Sequence, residues 1–393
     1  MTLLQQAADF EAELIEVRRD LHRHPELAFR ETRTAGIVAD RLATLGLQIQ
    51  RGVGGTGVVA DLANDSGPTV ALRADMDALP IAESNEVDYR STVAGAMHAC
   101  GHDAHVSMLL GAARLLVTAQ RAGTLPAGKV RFLFQPAEEA TDADDKSGAV
   151  RLIEDGAMRG VDAVFGLHIG AHLPAGPAYL RAGPIMAGSD TFTATVEGVS
   201  AHAARPHEGV DAIVLASHAV LACQQGAARR ISPFDEGVLT IGTVHGGVAE
   251  NVIADRVTLR GTIRYFDVRV RERLQDALRR GFAVVDALGG HGVLDLRDGY
   301  PAVINDGTMT SLARNAIADA LGAAAVADAE PMMGAEDFAF LLREAPGAFF
   351  WLGAALEPPR EHHHPRFDID ESVLKRGAAA LAACALHALR EVR

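Results

Sequence analysis

Between positions 98 and 105 the chain reads His98-Ala99-Cys100-Gly101-His102-Asp103-Ala104-His105, which gathers three imidazoles, a thiol and a carboxylate into eight residues. Nitrogen, sulfur and oxygen donors at this density form a metal-ligand inventory. A thiolate and an imidazole two positions apart can reach one face of a tight turn, and Gly101 lets the backbone bend there without a side-chain clash. Apolar residues then recur at helical spacing through Leu116, with Asp103 in position to cap the helix N-terminus. The cluster therefore belongs on a loop that enters a helix.

Other ligand-type side chains stand where apolar runs stop. Residues 69–74 empty into Asp75-Met76-Asp77, residues 130–134 into Gln135-Pro136-Ala137-Glu138-Glu139, residues 163–167 into His168, and residues 348–353 toward Glu361-His362-His363-His364-Pro365. In parallel sheets ligands bind outside the carboxyl ends of the strands, so separate stretches would deliver these groups to one rim. Cys, His and Glu together suit zinc, manganese, cobalt or nickel, and argue against calcium, which takes oxygen ligands. The candidates outnumber the four ligands of a structural zinc site, which implies a second metal. Two metals can hold a hydroxide and polarise a carbonyl, the arrangement for hydrolysing an amide or phosphate ester. If residues 138 and 139 are extended, their carboxylates face opposite sides, one for metal and one for the water as general base.

Composition narrows the alternatives. The formal net charge is −14, from 37 Lys+Arg against 51 Asp+Glu, which argues against a nucleic-acid partner. There is neither a basic run for an anionic membrane nor an uninterrupted apolar stretch of about 18 residues, and the N-terminus lacks a signal-peptide pattern. Cys100, Cys223 and Cys384 are odd in number and far apart, which suits a reducing compartment, so a cytoplasmic protein is expected. The glycines at 52, 54, 55 and 57 lack the strand, turn and helix order of a nucleotide loop.

The elements that must position these groups follow a repeating order. Residues 5–21 and 32–45 have helical periodicity, and strands alternating with helical patterns indicate an α/β fold, a mostly parallel sheet with helices on both faces. From about Gly183 the order changes to strand 190–198, helix 209–226, strands 238–244 and 256–265, helix 268–281 and strand 292–296. That is a split βαβ module, α+β in class, inserted into the first domain. The expected division is 1–184 with 299–393 as the metal-binding domain and 185–298 as the insertion. Final elements are a helix from Met309, a strand at 348–353 and a helix over 371–390.

The motifs Leu21-His22-Arg23-His24-Pro25-Glu26, Arg73-Ala74-Asp75-Met76-Asp77, His98-Ala99-Cys100-Gly101-His102-Asp103, Gln135-Pro136-Ala137-Glu138-Glu139, Gly166-Leu167-His168, Ser200-Ala201-His202-Ala203, Gly261-Thr262-Ile263-Arg264, Gly334-Ala335-Glu336-Asp337 and His363-His364-Pro365 span the chain. In that order they resemble the aminoacylase and glutamate-carboxypeptidase superfamily of co-catalytic metal hydrolases, in the branch with hippurate hydrolase and auxin-conjugate hydrolases. The resemblance implies that Cys100, His102, Glu139, His168 and His363 bind two divalent metals, with the thiolate standing where many relatives use a bridging aspartate. His362 and His364 flank the chosen ligand. Asp75 departs from relatives that carry a metal-binding histidine there, and Asp77 is implied as support behind the ligands. Glu138 would be the general base, His202 the oxyanion stabiliser reaching from a partner's lid, and Asn251 and Arg264 the grip on a substrate carboxylate. The expected activity is hydrolysis of N-acyl amino acids by a homodimer formed through the inserted lid. The alternatives are a dipeptidase or N-acetyl-diaminopimelate deacetylase, or a catalytically silent acyl-amino-acid binding protein.

Overall fold

The computed structural model describes residues 1–392 and divides into two compact units. One comprises Met1–Ile185, Ile304–Glu330 and Asp337–Arg393, the other Met186–Val303 and Pro331–Glu336.

The larger unit is built on an eight-stranded sheet. Its strands run in the spatial order Gln48–Val53, Gly57–Asn64, Gly128–Gln135, Thr69–Asp75, Ala163–Gly170, Gly347–Gly353, Ala178–Leu180 and Val326–Asp328. The four strands from Gly128–Gln135 to Gly347–Gly353 pair in parallel, while antiparallel pairing appears toward both sides. Near-continuous burial of Thr69–Asp75, Ala163–Gly170 and Gly347–Gly353 is what a sheet covered on both faces requires. Val70, Leu72, Ala74, Phe132, Phe134, Phe165 and Ile169 feed the main core. Strand alternation therefore turns Arg73, Asp75, Gln135 and His168 to the other face.

Helix His102–Arg121 packs along this sheet beside Leu374–Glu391. The latter helical segment is long and apolar enough to cross a membrane, yet 72% of its apolar window is buried, so it serves as a core helix. Gly101 is the residue before the first helix, at φ 93, a left-handed conformation that glycine adopts without strain. Asp103 is not the cap expected from the sequence. It lies in the first turn, where its carboxylate is drawn to Arg18 and His22 instead.

The N-terminal helical pattern is also interrupted. Leu3–Ala8 carries its own capping box from Thr2 and Gln5, and a second helix begins at Glu11. Thr32–Leu45 forms as one helix, and Gln48–Val53 is an edge strand with mostly solvent-facing residues.

The smaller unit has the element order Gly188–Glu197, Ala212–Arg230, Gly237–Gly246, Arg256–Tyr265, Val268–Ala287 and His291–Arg297, which is β-α-β-β-α-β. Its four strands are antiparallel, with His291–Arg297 and Gly237–Gly246 at the edges. The two helices pack on one another, and Phe192, Leu215, Leu259, Leu274 and Phe282 form a separate core.

Candidate metal centre

Cys100, His102 and His168 present donor atoms that all lie within 4.8 Å of one another, and so do Cys100, Glu139 and His363. The two groups share the Cys100 thiol. Its Sγ is 3.4 Å from His168 Nε2, and Glu139 Oε1 is 3.2 Å from His363 Nε2.

Two of the imidazoles are held by a partner on the far side of the ring. His102 Nδ1 lies 3.2 Å from Asp77 Oδ1, and His168 Nδ1 donates to the Ile169 carbonyl at 2.8 Å. Both rings thereby offer Nε2 to the cluster, the arrangement that orients imidazole ligands. Asp77 also accepts the Glu138 amide at 3.0 Å and the Glu139 amide at 2.9 Å, so one carboxylate fixes a ligand and the acidic pair together.

The acidic pair does not sit in extended backbone as the sequence suggested. Ala137 is left-handed at φ 45, and Glu138 and Glu139 form a bend. Glu31 accepts the Ala137 amide at 2.8 Å, and a Cβ on Gly148 would lie 1.6 Å from the Pro136 carbonyl oxygen, so the bend is braced from behind. His102, Glu138 and Glu139 nevertheless offer donor atoms within 4.8 Å of one another. Glu138 accepts the Asp337 amide at 3.3 Å through Oε1.

The triple histidine sorts itself by geometry. His363, left-handed at φ 58, donates its amide to the Ala99 carbonyl at 2.8 Å, which sets its ring against Glu139. His362 accepts the Ala171 amide through Nε2 at 3.1 Å, and His364 accepts the Arg366 amide through Nδ1 at 3.1 Å. His98 is buried with neither ring nitrogen partnered, and burial pushes it down to about 4. Asp75 belongs to neither Cys100 group but lies beside one, its Oδ2 3.7 Å from His102 Nε2, and it binds His105 and Arg73.

The charge balance fits divalent cations. Burial pushes the Cys100 thiol well up, with Glu139, Glu138 and Asp75 adding to the effect. Burial alone would lower His102, but Asp75, Asp77 and Glu139 lift it to about 10. A pocket this rich in carboxylate attracts positive charge. With no hydrogen-bond partner on His102 Nε2, and only His363 Nε2, 3.2 Å away, facing Glu139 Oε1, both buried atoms are open to a cation. Those two atoms, the thiol and the remaining imidazoles form a donor set that fits a pair of metals.

The profile of Peptidase family M20/M25/M40 matches residues 71–387, a span that includes every member of the Cys100 cluster. The chain belongs to that family. It is 42% identical over 369 residues to N-acetyl-L-cysteine deacetylase of Bacillus subtilis, covering 93% of this chain and 85% of the relative. It is 41% identical over 380 residues to thermostable carboxypeptidase 2 of Saccharolobus solfataricus, covering 95% and 94%. A solved M20 structure, the YXEP protein of Bacillus subtilis, a dinuclear metal-binding peptidase, superposes with a TM-score of 0.84 at 34% identity, covering 98% of this chain and 99% of the other. This M20 chain is a metal-dependent amidohydrolase, and the resemblance read from its motifs holds over its length.

The remaining predicted residues lie in the smaller unit. The Ala203 amide donates to the Asn251 carbonyl at 3.0 Å, and His202 bridges Val252, so the loops bearing His202 and Asn251 run together. His202 is exposed and accepts the Ala204 amide through Nδ1 at 3.0 Å, which leaves Nε2 as the protonated nitrogen of the neutral ring. Arg264 projects from strand Arg256–Tyr265 half-buried, and burial lowers its guanidinium from the ordinary value. It has no side-chain hydrogen bond or ion pair among the described residues. Sequence reasoning assigned no role to His105. Its signal was its position three residues after His102, on the same face of a helix.

Proposed function

We propose that this chain uses two divalent metals to hydrolyse the amide of N-acyl amino acids. The pair of donor groups sharing Cys100, with Glu138 beside them, carries this reading. The acetyl-amino-acid substrate in the name of the Bacillus subtilis deacetylase supports the substrate class.

Bound at these ligands, the metals would supply Lewis acidity that activates water and polarises the acyl carbonyl. Glu138 accepts a proton from the attacking water, and its carboxyl then delivers a proton to the departing nitrogen. The C–N bond breaks, and water is divided between a carboxylic acid and a free amino acid. The Asp337 amide orients the Glu138 carboxylate, and the Asp77 clamp keeps Glu138 and Glu139 in register. A Cys100 thiolate among the ligands would favour softer divalent ions such as zinc or cobalt over magnesium.

Arg264 supplies a guanidinium without a carboxylate of its own, suited to gripping the substrate's carboxylate together with Asn251. His202, through Nε2–H, would donate to the developing oxyanion from a partner's lid. Dimerisation through the smaller unit is supported by its edge strand Gly237–Gly246, which is exposed along most of its length, and by Val248 at 89% exposure nearby. Three free, buried cysteines support a reducing, cytoplasmic setting.

The test is relative turnover of hippurate, N-acetylmethionine and a simple dipeptide. The proposal predicts that one of the N-acyl substrates has the highest kcat/KM. Preference for the dipeptide would move the chain to the peptidase reading that the carboxypeptidase relative favours.

A further inference from the structure

His105 is 1% exposed and touches two of the proposed ligand rings without joining either Cys100 group. Its centroid is 5.4 Å from that of His102 at an interplanar angle of 29°, and 4.5 Å from that of His168 at 74°. Both of its nitrogens are engaged. Nδ1 is 2.6 Å from Asp75 Oδ1, and Nε2 is 2.9 Å from the Ile169 amide nitrogen.

That second contact fixes the protonation pattern. A backbone N–H only donates, so Nε2 carries the lone pair and the proton sits on Nδ1, facing the Asp75 carboxylate. Asp75 is itself pinned, because Arg73 Nη1 donates to its Oδ2 at 2.6 Å while Nη2 reaches Asp337 at 2.8 Å and Nε reaches Gln135 at 2.9 Å. The Ile169 backbone is thus held on both sides of its Cα, through the two peptide groups that flank it. Its N–H goes to His105, and its carbonyl accepts His168 Nδ1–H at 2.8 Å.

We infer that His105 is a positioning residue which, through the Ile169 backbone, fixes the ring plane and tautomer of His168 so that Nε2 meets the metal. The order of contacts is Arg73, Asp75, His105, the Ile169 backbone, His168. Every link after Arg73 is a hydrogen bond with a determined donor, so a rotation of the His105 ring would release the backbone that orients the ligand. The second donor group, Glu139 with His363, is held by Asp77 and the Ala99 carbonyl and has no link to His105. The consequence is selective. Losing His105 weakens the metal that His168 binds and leaves the Glu139 and His363 side intact. This inference rests on the two-metal reading.

Cobalt(II) titration of chelator-stripped protein, followed by calorimetry and by the thiolate-to-cobalt absorption band, tests it on wild type, His105→Leu and His105→Gln. Wild type takes up two ions. His105→Leu binds one of them about 10- to 100-fold more weakly, the range for lost support behind a ligand, and holds the other within about threefold of wild type. Gln can place Oε1 near the former Nε2 and accept the Ile169 amide, so His105→Gln recovers most of the lost affinity. Unchanged affinity at both ions in His105→Leu, equal weakening of both, or a Gln variant as poor as Leu overturns the positioning role while the two-metal reading stands. Uptake of fewer than two ions by wild type overturns both.

Discussion

At the scale of single residues, neighbouring carboxylates divide the labour. Glu139 sits in a donor group with Cys100 and His363, whereas Glu138 is oriented by the Asp337 amide and is assigned to proton transfer. Glu138→Gln keeps an acceptor for that amide but cannot take a proton. It is expected to lower kcat by about 10²- to 10⁴-fold while metal content measured by elemental analysis stays at the wild-type value. Loss of metal together with activity would instead make Glu138 a ligand. The donor types were legible in the sequence because Cys, His and Glu crowd around strand ends. Their local geometry was less so. The amphipathic pattern placed Asp103 near a helix start, but the choice between capping and pairing was made by Arg18, which is 85 residues away in sequence and in contact at 2.9 Å. The position of His363 likewise depends on its amide meeting Ala99, a long-range contact that spacing does not encode.

At the scale of elements, the bend at residues 137–139 shows how the fold shapes the site from outside it. Glu31, just before helix Thr32–Leu45, accepts amides from Phe29 and Ala137 through Oε1 and the Thr56 hydroxyl through Oε2. Burial pushes this carboxyl up to about 6 from 4.5, against the lowering effect of the Thr56 bond. A carboxyl raised in the folded state binds more protons there than in the unfolded chain, so its stabilising contribution is full below pH 4.5 and is lost as pH rises through about 6. Gln can keep all three bonds, with Oε1 accepting both amides and its NH₂ donating to Thr56. Glu31→Gln should therefore gain on wild type by about 2 kcal/mol between pH 4.5 and 7, read from urea unfolding of the metal-free protein. A gain that shrinks with rising pH would contradict the assignment. The βαβ alternation and the inserted β-α-β-β-α-β order were both readable, because buried strands are apolar runs and the antiparallel strands of the insertion alternate. Edge strand Gln48–Val53 was not, since it buries little and contains a glycine at φ 74.

At the scale of the whole molecule, a buried charge network in the larger unit joins segments far apart in sequence. Arg18 is fully buried and contacts Asp103 at 2.9 Å, Asp368 at 3.2 Å and Glu371 at 3.2 Å, tying the second helix to the ligand helix and to the segment that follows His363. Arg18→Met removes the buried cation that the three carboxylates share, leaving Asp103 with His22, Glu371 with Arg19 and Asp368 with Arg360. It should destabilise the metal-free protein by about 3–5 kcal/mol in urea unfolding, as broken buried pairs do. A cost below about 1 kcal/mol would mean that solvent or neighbouring groups replace the arginine. The metal ligands come from four separate stretches, and this network braces two of them, through Asp103 beside His102 and Asp368 beyond His363.

The central claim is that two metals, held by two groups sharing Cys100, drive amide hydrolysis. Elemental analysis of the purified protein, paired with hydrolysis of hippurate and N-acetylmethionine before and after chelation, tests it most directly. The expected result is close to two divalent ions per chain, with turnover abolished by chelation and restored by zinc, manganese, cobalt or nickel. Turnover that persists in protein stripped of metal would contradict it.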